Sequence, residues 1–194
     1  MKKKKVVILV VVGVTCIIWG FITLFISSVK KDQREMNARM DVIVDDYTKF
    51  NSSLEKFNAK RDEIHQGFLD TIYYETLGTN DTEYKNKLYE YEKVVTDISK
   101  STKKLREYCQ DGVYYSQSDV NSKCNSFKQG YEEMMNTFVE DVNLYNSNLD
   151  QYNSWLDSEG KSDGVKLENY KTSKKYIDYN KDGKYAGKGE LNEE

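Results

Sequence analysis

Residues 178–190 read DYNKDGKYAGKGE, and the oxygen-bearing side chains of this stretch have the spacing of a calcium-binding loop. In an EF-hand loop the ligands come from positions 1, 3, 5 and 7, a glycine occupies position 6, and a bidentate carboxylate follows at position 12. Here a glycine stands at position 12 and the carboxylate comes one residue later. The predicted ligands are Asp178, Asn180, Asp182, the carbonyl of Lys184, and Glu190.

If this loop binds calcium, we expect the binding to be weak. Only three carboxylates contribute, lysines lie among them, and four residues remain after Glu190, too few for an exiting helix. The predicted dissociation constant is therefore on the order of 10⁻⁴ to 10⁻³ M, as in extracellular modules. The alternative is an Asp-Gly turn held by an Asx-type hydrogen bond, which needs no ion.

Two of the three cysteines are predicted to form a disulfide. Cys109 ends one stretch with heptad spacing, and Cys124 lies one turn into the next such stretch. Antiparallel helices would bring them face to face, and a bridge closing a loop of about 15 residues stabilises a fold by about 3 kcal/mol in the chain-entropy model. Two buried thiols are the alternative. The bridge requires an oxidising compartment.

The chain offers little for catalysis or nucleic-acid binding. His65 is its only histidine, which argues against histidine-based catalysis and zinc binding, and we interpret it as a solvated surface residue. Residues 160–162 match the tail of a phosphate-binding loop, but Trp155 stands where the first glycine is required. The net charge of -3 indicates no basic surface. We predict a non-enzymatic protein that binds no nucleic acid.

The N-terminal part has the pattern of a membrane anchor. From Val6 to Val29 the chain runs without a charge, and a helix of that length spans about 36 Å, enough to cross a bilayer. We predict an uncleaved transmembrane helix over residues 6–29, after a cytoplasmic basic head of residues 1–5. The positive-inside rule places the N-terminus inside, so the remainder is expected to be extracytoplasmic at the cell membrane.

Three later stretches carry apolar residues at alternating steps of four and three, which is typical of heptad-patterned helices. With short polar turns between them, they predict an all-α fold: an elongated, coiled-coil-like, up-down-up antiparallel three-helix bundle over residues 30–157. The expected helices cover about residues 31–77, 82–109 and 118–157, followed by a C-terminal segment, 158–194, that folds back over the third helix. Three separate dimeric coiled coils are the alternative, which the short turns disfavour.

The turn after the first helix is expected at LGTNDTE, where Gly78 would stop the helix and Asn80 would cap the next one. The chain contains 16 tyrosines, and several of them fall on the heptad positions. Their rings are expected in the core with the hydroxyl groups at its rim, and a sugar-stacking surface is the alternative.

The predicted helix lengths leave part of the first helix uncovered. A second helix over residues 82–109 reaches back only to the level of residue 50, so the first helix would project as a stalk about 30 Å long. Its apolar stripe, Met36, Met40, Ile43 and Tyr47, should not face water. This interaction stalk predicts a protein partner or a second copy of the chain.

The membrane tether, the Tyr- and Lys-rich helices and the acidic tail resemble the cell-wall-binding, surface-tethered helical lipoproteins of low-GC Gram-positive bacteria. The chain departs from that pattern because it has no lipobox cysteine. The resemblance implies a cell-surface setting, with a cell-wall component as a candidate partner. The expected function is that of a scaffold or binding module, and the alternative is a calcium-responsive sensing or adhesion module.

Overall fold

The computed structural model describes residues 2–71, 73–110, 112–159 and 164–173, with side chains from Ile26 onward. All regular secondary structure within these ranges is helical, which confirms the predicted all-α class. The elements are α1 (Lys2–Ile64), a π-helical turn (His65–Leu69), α2 (Tyr74–Ser101), α3 (Lys103–Tyr108) and α4 (Ser118–Ser158).

The chain divides into two compact units, residues 1–42 and residues 43–194. The first unit is helix α1 as far as Val42. Most of the expected anchor, residues 6–25, lies outside the part whose side chains are described. Within the described part, no helix is long and apolar enough to cross a membrane.

Aromatic ring pairs establish how the helices of the second unit run. Two pairs join α1 or the π-helical turn that follows it to α4, with residue numbers rising together. Two others join α1 or that turn to α2, with numbers running in opposite directions. The pairs are Phe50–Phe127 (4.9 Å between centroids) and Phe68–Tyr145 (5.8 Å), then Phe57–Tyr91 (5.1 Å) and Phe68–Tyr84 (4.4 Å). Within residues 43–158 the helical runs therefore go up, down and up, as predicted, but the second run is divided into α2 and α3 at Thr102.

The predicted position of the first turn is wrong. The α-helical part of α1 ends at Ile64, and α2 begins at Tyr74, so Gly78 and Asn80 lie inside α2. Gly78 is needed for packing, because a Cβ atom there would lie 2.6 Å from the Tyr152 hydroxyl oxygen. The Asn80 amide donates to the Tyr84 hydroxyl group (3.2 Å) instead of capping a helix.

The predicted core position of the tyrosine rings is confirmed for part of them, since Tyr73, Tyr89 and Tyr114 are exposed. Five of the described tyrosine rings are buried. Three of them have no exposed area, and each hydroxyl group meets a polar side chain from a neighbouring helix. The pairs are Tyr91 with Asp141 (3.0 Å), Tyr131 with Ser99 (2.7 Å) and Tyr145 with Asp81 (2.8 Å). The hydroxyl groups of Tyr91 and Tyr131 are thus satisfied inside the bundle, whereas that of Tyr145 meets a partly exposed carboxylate. These hydrogen bonds offset the desolvation cost of burying the hydroxyl groups.

The prediction that the apolar stripe on α1 is uncovered is wrong for two of its four residues. Met40 is 5% exposed and Ile43 is fully buried, whereas Met36 is 38% exposed and Tyr47 is half-buried. Ile43 is covered because the chain turns back before Tyr74 and not after Gly78. The run formed by α2 and α3, which ends at Tyr108, therefore reaches further back along α1 within the bundle. A partner that contacts Met36 and Tyr47 stays a prediction.

The structure joins Cys109 and Cys124 by the predicted disulfide, with their Cα atoms 5.1 Å apart. Cys109 follows the last residue of α3, and Cys124 lies in the second turn of α4. The loop between them is also held by Asn121, whose amide exchanges two hydrogen bonds with the main chain of Tyr115 (2.9 and 2.8 Å). The antiparallel hairpin brings the two heptad positions together across this loop.

Candidate functional site

A buried carboxylate, Asp141 on α4, contacts polar side chains from α1, from the π-helical turn and from α2. Asp141 is 3% exposed, and its two oxygens face a guanidinium, an imidazole and a phenol. The distances are 2.9 Å from Arg61 Nε to Oδ2, 3.3 Å from Arg61 Nη2 to Oδ1, 2.9 Å from His65 Nε2 to Oδ1, and 3.0 Å from Tyr91 Oη to Oδ2. We refer to Arg61, His65, Tyr91 and Asp141 as the Asp141 cluster.

Helix geometry explains how the Asp141 cluster assembles. Arg61 and His65 lie one turn apart at the end of α1, so their side chains share a face. Tyr91 comes from α2 and Asp141 from α4. One carboxylate therefore cross-links three helices, and both of its oxygens are engaged by donors. This arrangement suits a structural junction better than a general base, which needs a free oxygen to receive a proton.

His65 is held between two carboxylates. Its Nε2 faces Asp141, and its Nδ1 lies 2.6 Å from Oδ1 of Asp70. Burial disfavours the charged imidazole, but the hydrogen bonds to Asp70 and Asp141 outweigh it and raise the pKa of His65. For Tyr91, burial and then the Asp141 charge raise the pKa far above its ordinary range, so its hydroxyl group stays a donor.

The interpretation of His65 as a solvated surface residue is wrong, because its side chain is only 18% exposed and has acidic partners on both ring nitrogens. One signal could have found the cluster. Arg61 interrupts the heptad stripe of the first helix, and a cation at a core-facing position requires an acidic partner. The partner could not be named from the sequence, since Asp141 is brought near only by tertiary packing.

A cavity of about 190 Å³ lies between α1 and α4, beside Arg61. Its polar lining comes from Asn58, Arg61, Glu133 and Thr137. Small-molecule sites usually measure about 300–1,000 Å³. The cavity is smaller than that, and we assign no ligand to it.

A second polar site holds part of the chain's own C-terminal region. Residues 164–173, the docked segment, lie along α4, where two asparagine carboxamides each exchange two hydrogen bonds with one residue's main chain. Asn153 pairs with Leu167 (Nδ2–O 2.8 Å, N–Oδ1 2.9 Å), and Asn146 pairs with Tyr170 (Nδ2–O 3.1 Å, N–Oδ1 2.7 Å). The carboxamides therefore recognise the main chain of the segment and not its side chains.

The spacing of the two asparagines sets the conformation of the docked segment. Asn146 and Asn153 are two helical turns apart, a rise of about 10.5 Å. Leu167 and Tyr170 are three residues apart and can span about 10 Å only when the chain is extended. The segment is therefore extended and runs antiparallel to α4.

Glu92 on α2 completes this site. Its side chain is buried (1% exposed), and its carboxylate accepts hydrogen bonds from the Tyr170 hydroxyl group (2.6 Å), the Ser173 amide (2.7 Å) and the Ser173 hydroxyl group. We refer to Glu92, Asn146 and Asn153 as the docking surface. The sequence predicted that the C-terminal region folds back over the third helix, but not which residues hold it. The spacing of seven between Asn146 and Asn153 was the available signal.

The predicted calcium ligands, Asp178, Asn180, Asp182, Lys184 and Glu190, lie outside the described residues. Within residues 2–71, 73–110, 112–159 and 164–173, no group of three or more His, Cys, Asp or Glu side chains is placed to hold a metal ion. Calcium binding stays a prediction.

Of the sequence-predicted sites, the structure brings together the disulfide pair, whereas the Asp141 cluster and the docking surface emerge only from the fold. Comparison of the chain with protein-family models, with curated proteins and with solved structures found no match.

Proposed function

We propose that the chain is a non-enzymatic, single-span membrane-anchored surface protein whose extracytoplasmic helical bundle is a binding module for extended peptide segments. The observation that carries this proposal is the docking surface, which holds an extended segment through its main chain. The disulfide supports an oxidising compartment outside the cytoplasm. The uncharged run from Val6 to Val29 supports the anchor.

Several features favour binding over catalysis. Asp141 and His65 are engaged with each other and with Arg61 and Tyr91. The docking surface, in contrast, offers carboxamide and carboxylate groups in the pattern that a peptide main chain requires, with both a donor and an acceptor at each asparagine. A protein partner or second copy at Met36 and Tyr47, and a cell-wall component as ligand, are further candidates for this surface protein.

Peptide binding can be tested after the chain's own segment is disabled. Leu167→Pro and Tyr170→Pro together remove the two amide donors that face Asn153 and Asn146. We expect the full chain with this pair of changes to bind a fluorescently labelled VKLENYKTS peptide, residues 165–173, in an anisotropy titration. Adding Asn146→Ala and Asn153→Ala should weaken binding about a hundredfold, since each carboxamide contributes two hydrogen bonds.

Backbone-modified peptides are the matched controls. N-methylation at Leu167 and Tyr170 removes the donors to the asparagines without changing any side chain, and should abolish binding. N-methylation at Glu168, whose amide is not among those that contact the docking surface, should have a much smaller effect. Equal binding by the two methylated peptides would contradict recognition through the main chain.

The location of the bundle predicts its access to protease. In intact cells that carry the full chain, added protease should remove the bundle and leave a small membrane-bound fragment that contains residues 6–29. Cells opened by lysis, in which both membrane faces are accessible, provide the control. Protection of the bundle in intact cells would place it on the cytoplasmic side and end this part of the proposal.

Calcium-responsive sensing or adhesion is the second candidate, and it depends on the oxygen spacing in residues 178–190. Calorimetric titration should show a dissociation constant on the order of 10⁻⁴ to 10⁻³ M. Asp178→Ala with Asp182→Ala should abolish the heat. Identical heats at millimolar calcium from both proteins would make the loop a turn only.

A further inference from the structure

We propose that the docking surface also binds residues 165–173 of a second copy of this chain, so that neighbouring molecules join by exchanging their docked segments. This inference rests on the proposed binding function and names the partner. The sequence that demonstrably fits the docking surface is the chain's own, and a second copy carries it unchanged.

The contacts that hold the segment are separable from the molecule that supplies it. The hydrogen-bonding groups of the docking surface belong to α2 and α4. Their hydrogen-bond partners belong to residues 167–173. No group is needed from the residues that connect α4 to the segment. A segment from a second molecule can therefore form the same hydrogen bonds as the chain's own.

The connection between α4 and the docked segment has the composition of a hinge. Residues 158–164 read SEGKSDG, which is polar and contains two glycines. The two elements that this stretch joins, α4 and the docked segment, run antiparallel within one molecule. In the proposed exchange, the segment docks on a neighbouring molecule and not on its own α4, which is the usual route of segment exchange between identical chains.

Concentration decides between the two arrangements. A segment joined to its docking surface by only a few residues competes at an effective concentration in the millimolar range. An isolated molecule therefore keeps its own segment, and exchange becomes competitive where copies are crowded. Molecules anchored in one membrane with their bundles on the same face meet that condition more readily than molecules free in solution.

Two complementary variants of the full chain test the exchange. The acceptor carries Leu167→Pro and Tyr170→Pro, so its docking surface is intact and its segment is disabled. The donor carries Asn146→Ala and Asn153→Ala, so its segment is intact and its docking surface is disabled. With different tags on the two variants, we expect an equimolar mixture in detergent micelles to yield at least about tenfold more mixed pairs than either variant yields paired with itself.

The control mixture pairs the donor with a chain that carries all four changes, and it should yield mixed pairs only at the level of self-pairing. Adding Tyr170→Phe to the donor removes the hydroxyl group that donates a hydrogen bond to Glu92. This change should lower the yield of mixed pairs. Circular dichroism must show equal helicity in all variants.

The outcomes separate this inference from the proposed function. If the acceptor binds the VKLENYKTS peptide but forms no excess of mixed pairs, a second copy is not the partner, and the binding function stands. If the acceptor binds neither the peptide nor the donor chain, both proposals are wrong.

Discussion

Replacing Cys109 and Cys124 by alanine is expected to lower the free energy of unfolding by about 3 kcal/mol, because the bridge closes a loop of about 15 residues in the unfolded chain. For a domain of this size the melting temperature should fall by about 6–12 °C. The helical content should be preserved, since the heptad-patterned contacts of Leu105, Val120 and Phe127 remain. Thermal denaturation followed by circular dichroism measures both quantities.

Two comparisons separate the bridge from the packing of its side chains. Each single replacement breaks the same bond, so Cys109→Ala, Cys124→Ala and the double variant should lose similar stability. Wild-type protein in the presence of a reductant keeps both sulfur atoms and should lose the contribution of the bridge alone. A reduced wild type as stable as the oxidised protein would show that the bond adds nothing.

Replacing Asp141 by asparagine is expected to cost about 2–3 kcal/mol, although the side-chain volume is preserved. The asparagine amide cannot neutralise the charges of Arg61 and His65. Its NH₂ group would also place a hydrogen-bond donor opposite a donor of one of these two side chains. Because the Arg61 side chain is 39% exposed, water can partly replace its lost partner, which keeps the effect below that of a fully buried pair. Equilibrium unfolding in urea measures the difference.

The change at Asp141 should also alter the dependence of stability on pH. The pKa of His65 is raised in the folded state. The contribution of His65 to the free energy of unfolding is therefore fully present below its unfolded pKa of about 6.5. It is lost as pH rises through the higher pKa of the folded state. Wild-type stability should decrease over this range, and the decrease should be smaller in Asp141→Asn and absent in His65→Gln. Since the chain contains one histidine, the assignment is direct.

Asp150 provides the matched control for Asp141. It is an exposed carboxylate on the same helix, and Asp150→Asn should change stability by no more than about 0.5 kcal/mol. If Asp141→Asn proves equally mild, with the pH dependence intact, the Asp141 cluster does not hold the three helices together.

The heptad pattern predicted the bundle well because it depends on local spacing. Phe50, Phe57, Phe127 and Phe138 are at core positions by sequence period alone, and all are buried in the structure. The turn between the first two helices was misplaced, because glycine and asparagine are common at helix ends. Gly78 instead accommodates Tyr152 from a helix more than seventy residues away, a contact that no local rule contains.

The sequence by itself determined the all-α class and the order and direction of the three helical runs, and it favoured the pairing of Cys109 with Cys124. These features follow from residue spacing along one chain and from short connections, which leave few alternatives. Only the tertiary structure decided that His65 is enclosed, that Asp141 is its partner, and that Asn146 and Asn153 hold an extended segment. Such contacts join residues far apart in the chain, and many acidic and amide side chains could have filled each role. Packing selects among them, because burial requires each polar group to meet a matching partner at hydrogen-bonding distance.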